Sequence, residues 1–84
     1  MVYNFVIYLL WRGATMTVCY NKLWKLLIDR KMKKKDLLEL SGISRGTLTK
    51  LNKDENVSTE TLVRICTALQ CDIADIMEVI PDND

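Results

Sequence analysis

The sequence predicts a small all-α domain of five short helices on a single core. Apolar residues recur at spacings of three and four through most of residues 21–78, as at Leu23, Leu26 and Leu27. Serine or aspartate, which suit helix N-caps, precedes several of these segments, and Gly42 separates two of them. The 84 residues are enough for one domain with a small core.

The first predicted helix, residues 21–30, has a core face and a second apolar stripe beside it. The stripe consists of Trp24 and Ile28, which lie four residues apart. A core this small does not need both faces, so we expect the stripe to take part in self-association. The core face carries Leu23, Leu26, Leu27 and Arg30.

Two shorter helices, residues 34–41 and 44–52, are predicted on either side of a turn at Gly42. Such a turn favours a left-handed backbone, which glycine adopts without steric cost. In the second helix Leu48 and Leu51 lie three residues apart and are expected to face inward together. The side chains left facing outward are those of Arg45, Gly46, Thr47, Thr49, Lys50, Asn52 and Lys53.

Two further helices are predicted in the remainder of the chain. Ser58 is a suitable N-cap for a helix that reaches Gln70, and Asp72 for a last helix that reaches Glu78. Pro81 ends the last of these segments. The inward residues of the last helix are expected to be Ile73, Ile76 and Met77.

Two short β-prone segments flank this helical region. Residues 17–20 (TVCY) and 78–80 (EVI) could pair as a small antiparallel ribbon that ties the two ends of the domain together. The alternative is that both are frayed helix ends, and the sequence leaves the two interpretations open.

The charge is divided unevenly along the chain. Residues 22–53 contain ten Lys or Arg and three Asp or Glu, whereas residues 54–84 contain one Arg and eight acids. The overall net charge of +1 conceals this division. A basic half indicates a polyanionic partner, although a run of charge such as residues 31–35 is also common on a solvated face.

The run LLELSGISRGTLTKL, residues 37–51, resembles the helix–turn–helix of the Cro/cI-type (XRE-type, lambda-repressor-like) family of bacterial and phage DNA-binding domains. The likeness extends over roughly residues 18–80. It implies a five-helix domain whose second motif helix enters the DNA major groove. Two residues depart from the usual pattern: Leu38, where Ala is common, and Lys34, where Gln is common.

The resemblance also implies which residues contact DNA. Arginine suits guanine because its two donors reach O6 and N7 together, and Gly46 permits close approach of the backbone to a base or sugar. The implied base-reading residues are Arg45, Gly46, Thr47, Thr49 and Lys50. The implied phosphate-contacting residues are Lys33, Lys34, Lys35, Ser44, Asn52 and Lys53.

The composition gives no support to catalysis or metal binding. The chain has no histidine, and its three cysteines, Cys19, Cys66 and Cys71, are widely spaced. An odd number of cysteines without a secretory signal suggests reduced thiols and a cytoplasmic location. Cys66 lies on the apolar face of its predicted helix and is expected to be a small buried hydrophobe. We expect no enzymatic activity, cofactor, metal or small-molecule ligand.

The first fifteen residues form an apolar leader. They are too short to span a membrane, which takes about 20 apolar residues, and Arg12 follows the apolar run, whereas a signal peptide has its charge before it. One interpretation is a start-site artefact, with the natural chain beginning at Met16. The other is an added strand or an apolar element covered in a dimer. The domain proper is then residues 16–84.

Two classes of function are compatible with the sequence. The first is a sequence-specific DNA-binding transcriptional regulator that binds two half-sites as a symmetric homodimer. The second is an antitoxin or adaptor-type protein-interaction module that uses the acidic half and the apolar leader. Both imply a protein without a membrane partner.

Overall fold

The computed structural model describes residues 15–82, which form four α-helices, a short 3₁₀ helix and a two-stranded ribbon. The helices are α1 (Asn21–Asp29), α2 (Lys34–Ser41), α3 (Arg45–Asn52) and α4 (Thr59–Leu69). The strands are β1 (Met16–Cys19) and β2 (Glu78–Pro81), and the 3₁₀ helix is Ile73–Asp75. None of the described helices is long and apolar enough to cross a membrane.

The prediction of a fifth α-helix over residues 72–78 is wrong. Asp72 does act as an N-cap, accepting a hydrogen bond from the backbone N–H of Ile73 at 2.7 Å, but the helix it starts is a single 3₁₀ turn. So short a segment does not repay the cost of nucleating an α-helix, and the β-branched residues after it join a strand. Ile73, expected to face inward, is 37% exposed, whereas Ile76 is fully buried.

Of the two interpretations of the end segments, the structure shows the antiparallel ribbon and not frayed helix ends. Strands β1 and β2 pair antiparallel, with Thr17 opposite Ile80 and Val18 opposite Val79. The backbone N–H of Asp82 donates to the carbonyl of Thr15 at 2.7 Å, one step beyond the paired strands. The ribbon therefore joins the two ends of the helical region. The interpretations of the leader concern residues 1–15, of which only Thr15 lies within the described part.

Every α-helix contributes to one apolar core. Among the motif residues, Leu37 of α2 and Leu51 of α3 have no exposed surface, while Leu48 is half-buried and packs against the core from outside. Leu40 is 61% exposed, whereas Ser41, one turn after Leu37 on α2, is half-buried. The buried core consists of Tyr20, Leu23, Leu27, Leu37, Ile43, Leu51, Leu62, Ile65, Leu69 and Ile76.

Serine N-caps fix the start of α3 and α4. The Ser44 hydroxyl accepts a hydrogen bond from the backbone N–H of Thr47, and the Ser58 hydroxyl accepts one from Thr61, both at 3.1 Å. Each cap satisfies a backbone donor that has no partner inside its helix. The predicted starts of these two helices are confirmed.

The helix ends were less apparent in the sequence. Helix α2 ends at Gly42, which has the expected left-handed backbone at φ 74°. Helices α1, α3 and α4 are followed by left-handed residues that are not glycine: Lys31, Asp54 and Gln70. Each lies inside a turn closed by a hydrogen bond from the next residue to a carbonyl five positions back, such as Met32 N–H to Leu27 at 2.8 Å.

Tyr20 anchors the loop that follows α3. Its ring is 1% exposed, its hydroxyl donates to the Glu55 carbonyl at 2.8 Å, and its backbone N–H donates to the Asp54 carboxylate at 3.0 Å. Burial raises the pKa of the Tyr20 phenol above its ordinary value. These contacts fix the exit of α3 against the start of α1.

Candidate nucleic-acid interface

Helices α2 and α3 form a helix–turn–helix with a rigid turn. The Ser41 hydroxyl donates to the Leu37 carbonyl at 2.6 Å and accepts a weak hydrogen bond from the Ile43 N–H at 3.4 Å. Ile43, in the turn, is 8% exposed, and the buried Leu37 and Leu51 hold one helix each against the core. The outward faces of the two helices therefore have a fixed mutual orientation.

The outer surface of this unit carries five cations that have no partner in the described part of the chain. Their side chains are exposed and make no hydrogen bond or ion pair within residues 15–82. Such cations keep their full charge available to an external anion. They are Lys33 and Lys35 at the start of α2, Arg45 and Lys50 on α3, and Lys53 directly after it.

A groove of about 390 Å³ separates α2 from α3 on this surface. Lys35 and Arg45 line it from the two helices, and Leu38 and Leu48 supply its apolar lining together with Thr49. Leu38, which replaces the alanine common at this position, packs partly against the core. Its larger side chain thus contributes to the surface between the two helices as well as to the core.

Three predicted contact residues use their hydroxyls within the protein. The Ser44 hydroxyl caps α3 and lies 3.0 Å from that of Thr47, and the Thr49 hydroxyl donates to the Arg45 carbonyl at 3.0 Å. Because a hydroxyl has one proton, Thr49 has no donor left in this arrangement. Its methyl group remains available for apolar contact.

Gly46 leaves open space on the outer side of α3. A Cβ built there would meet only the Ser44 hydroxyl oxygen, at 3.8 Å, which is an ordinary contact. The helix itself therefore does not require glycine at this position. Gly42 differs, because its positive φ disfavours any side chain.

Lys34 and Asn52, both predicted to contact phosphate, lie next to each other. The Lys34 ammonium donates to Asn52 Oδ1 at 2.6 Å and lies 4.3 Å from the centroid of the Trp24 ring. This cluster joins α1, α2 and α3. Trp24 was not among the predicted site residues, because no local pattern relates it to a lysine ten positions later.

Two other basic residues stabilise the fold. Lys22 donates to the Ala74 carbonyl at 3.2 Å and lies 3.8 Å from the Glu78 carboxylate. The Arg30 guanidinium donates to the Leu69 carbonyl at the end of α4, a group that otherwise lacks a helical partner. The basic half of the sequence therefore combines structural cations with those of the exposed surface.

The cysteines lie outside this surface. Cys66 is half-buried instead of buried as expected, and burial together with the neighbouring Cys71 thiol raises its pKa to about 11. All three thiols are free. Within residues 15–82 there is no group of three or more potential metal ligands.

A small helical domain with a cationic helix–turn–helix has the features of the helix–turn–helix class of DNA-binding proteins. Residues 22–82 match the Cro/C1-type HTH DNA-binding domain, and the chain belongs to this family of DNA-binding regulators. The resemblance seen in residues 37–51 is thereby confirmed. Among solved structures the chain is similar to a crystal structure of the transcriptional regulator VanUg, with 54% identity and a TM-score of 0.79. The match covers 84% of this chain and 95% of that one. No curated protein matches the chain.

Proposed function

We propose that the protein is a sequence-specific transcriptional regulator that places α3 in the DNA major groove and binds two half-sites as a homodimer. The observation that carries the proposal is the surface of α2 and α3, where five exposed cations have no partner among residues 15–82 and lie on or beside a helix of suitable size for the groove. The proposed partner is double-stranded DNA, and the proposed location is the cytoplasm.

The proposed base readers are the outward residues of α3. Arg45 and Lys50 are exposed and have long side chains that can reach base edges, with Arg45 best suited to guanine. Gly46 would allow the helix to approach a base or sugar closely. Thr47 and Thr49, whose hydroxyls are engaged, would contribute apolar contact through their methyl groups, for example with thymine.

The proposed phosphate contacts flank α3. Lys33, Lys34 and Lys35 at the start of α2 would face the backbone together with Asn52, whose amide contacts Lys34, and Lys53 would contact the backbone directly after α3. Ser44, whose hydroxyl is already the N-cap of α3, would contribute mainly through the exposed start of that helix.

Salt dependence tests the phosphate contacts. If the four lysines among these residues each neutralise a phosphate in both subunits of a dimer, the slope of log affinity against log salt concentration should be about −7. Fluorescence anisotropy with a duplex selected from a random pool measures this slope. A slope near zero would contradict the proposal.

Substitution of a reader tests specificity. Arg45→Ala should weaken binding to the selected duplex by about 1–3 kcal/mol and relax the preference at one base position. Lys25→Ala is the matched control, because Lys25 lines a different groove, between α1 and the end of α4. If Arg45→Ala weakens selected and random duplexes equally, Arg45 is not a reader.

The homodimer is proposed because several large apolar side chains are exposed. Trp24 is half-buried beneath Lys34, so Ile28, at 73% exposure, is the more open part of the stripe expected to self-associate. A two-fold dimer would cover such a patch on both copies. Sedimentation at tens of micromolar should show a dimer that Ile28→Glu weakens. A wild-type monomer at that concentration would exclude it.

A further inference from the structure

Three helices meet at the ammonium group of Lys34. This residue is the first of α2, and its side chain reaches the ring of Trp24 on α1 and the amide of Asn52, the last residue of α3. The ammonium lies 4.3 Å from the ring centroid and 2.6 Å from the amide oxygen. Both distances are short enough for a cation–π interaction and a charge-assisted hydrogen bond.

Holding this ammonium in one position costs conformational entropy, because a lysine side chain has many rotamers. Trp24 and Asn52 offset this cost by offering an electron-rich ring face and an oxygen acceptor at the end of α3. The charge is consequently held in place before any ligand arrives.

The donors around Lys34 have a defined direction. An ammonium can only donate, so the Asn52 oxygen must face Lys34, and the NH₂ group of the amide must point away from it. That NH₂ group has no hydrogen-bond partner within residues 15–82, and the ammonium has three donors of which Asn52 takes one. Several donors beside one fixed positive charge suit a group with several anionic oxygens, as a DNA phosphate has.

We infer that Trp24 and Asn52 are positioning residues that hold Lys34 for contact with one DNA phosphate, and that the Asn52 amide donates to the same phosphate. The inference rests on the proposed function, which supplies the DNA. A preorganised lysine loses less conformational freedom on binding than a mobile one, so its contact contributes more affinity. The cluster also ties the end of α3 to α1 and α2.

A double-mutant cycle tests the role of Trp24. Trp24→Leu removes the aromatic face but leaves the lysine charge, so duplex affinity should fall about two- to fivefold while the salt slope stays unchanged. Lys34→Met should reduce the steepness of the slope by about 0.9 for each lost contact. Adding Trp24→Leu to Lys34→Met should cause no further loss, and Trp24→Phe should retain most of the affinity. Lys25→Met is the matched control for removal of a lysine.

Variants of Asn52 give an independent test, since this side chain is exposed and its replacement leaves the core intact. Asn52→Asp keeps an acceptor for Lys34 but loses the NH₂ donors and adds a charge that phosphate repels. Duplex affinity should therefore fall by about tenfold, more than for Asn52→Ala. Asn52→Ala in the Lys34→Met background separates the two roles: it should still lower duplex affinity if the amide itself donates to phosphate, and should cause no further loss if Asn52 served only to hold Lys34.

The outcomes separate the two proposals. If the fold-loss of duplex affinity in the Trp24→Leu/Lys34→Met variant equals the product of the two single losses, the positioning role of Trp24 is overturned. The proposed function stands in that case as long as wild type shows salt-dependent binding. Wild-type affinity in Asn52→Asp would overturn the amide contact. If wild type shows no salt-dependent duplex binding, the proposed function fails and this inference fails with it. If Trp24→Leu does not fold, the Asn52 variants still test whether this cluster contacts a DNA phosphate.

Discussion

Replacement of Leu51 by alanine should remove a large part of the stability of the domain. Leu51 has no exposed surface and lies in the core that holds α3. Leucine-to-alanine changes at buried sites cost about 2–5 kcal/mol, and complete burial places this one at about 3–4 kcal/mol. A domain of this size has roughly 4–12 kcal/mol in total, at about 0.05–0.15 kcal/mol per residue.

Leu48 is a matched control on the same helix. It is half-buried and lines the groove between α2 and α3, so part of its apolar surface already contacts water in the folded state. Leu48→Ala should therefore cost only about 1–2 kcal/mol. The sequence grouped these two leucines on one inward face, whereas the structure buries Leu51 completely and Leu48 only in part.

Urea unfolding followed by far-UV circular dichroism measures both costs. The slopes of the two transitions should match that of wild type, so the difference between the variants should appear in the midpoints. Equal free-energy losses, or a greater loss for Leu48→Ala, would show that the orientation of α3 about its own axis is not as described.

Three further predictions concern the turn, the anchor of the loop and pH. Gly42→Ala should destabilise the domain by about 1 kcal/mol because of the positive φ, whereas Gly46→Ala should stabilise it by about 0.5–1 kcal/mol. Thermal melting compares the two variants, and equal shifts in melting temperature would contradict the distinction. Tyr20→Phe removes the hydrogen bond to the Glu55 carbonyl and should cost about 0.5–1.5 kcal/mol; an unchanged melting temperature would refute the anchoring role. Burial raises the pKa of the Tyr20 phenol, and burial with the neighbouring thiol raises that of Cys66 to about 11 from 9.0. Because the unfolded chain releases these protons at lower pH, their contribution to the free energy of unfolding is complete below about pH 9 and should decline toward pH 11. A urea midpoint that is constant from pH 8 to 11 would contradict this.

Local chemistry was sufficient to predict the helix–turn–helix and the starts of its neighbours. Ser44 and Ser58 act as N-caps, and Gly42 takes the left-handed backbone that its position between two helices suggested. These features depend on residues within one helical turn of each other, which is why their sequence pattern is reliable.

All five cations of the exposed surface were among the residues that the family resemblance implied, but charge and helical period alone would not have singled them out. Exposure follows from the helical period, so Arg45, Lys50 and Lys53 were recognisable as outward residues. Charge alone could not distinguish them from Lys22 and Arg30, which bind carbonyls more than thirty positions away. A lysine in a binding surface and a lysine in a structural contact have the same sequence signal.

The sequence by itself determined four helices and the turn, because these follow from the spacing and chemistry of nearby residues, and the resemblance of residues 37–51 indicated the family. The tertiary structure decided that residues 78–81 form a strand, that Lys31, Asp54 and Gln70 adopt a left-handed backbone, and that Lys34 lies between Trp24 and Asn52. Each of these depends on contacts or packing beyond the local pattern. Pairing with β1, for example, overrides a short helix because it satisfies the backbone hydrogen bonds of a segment too brief to be helical alone.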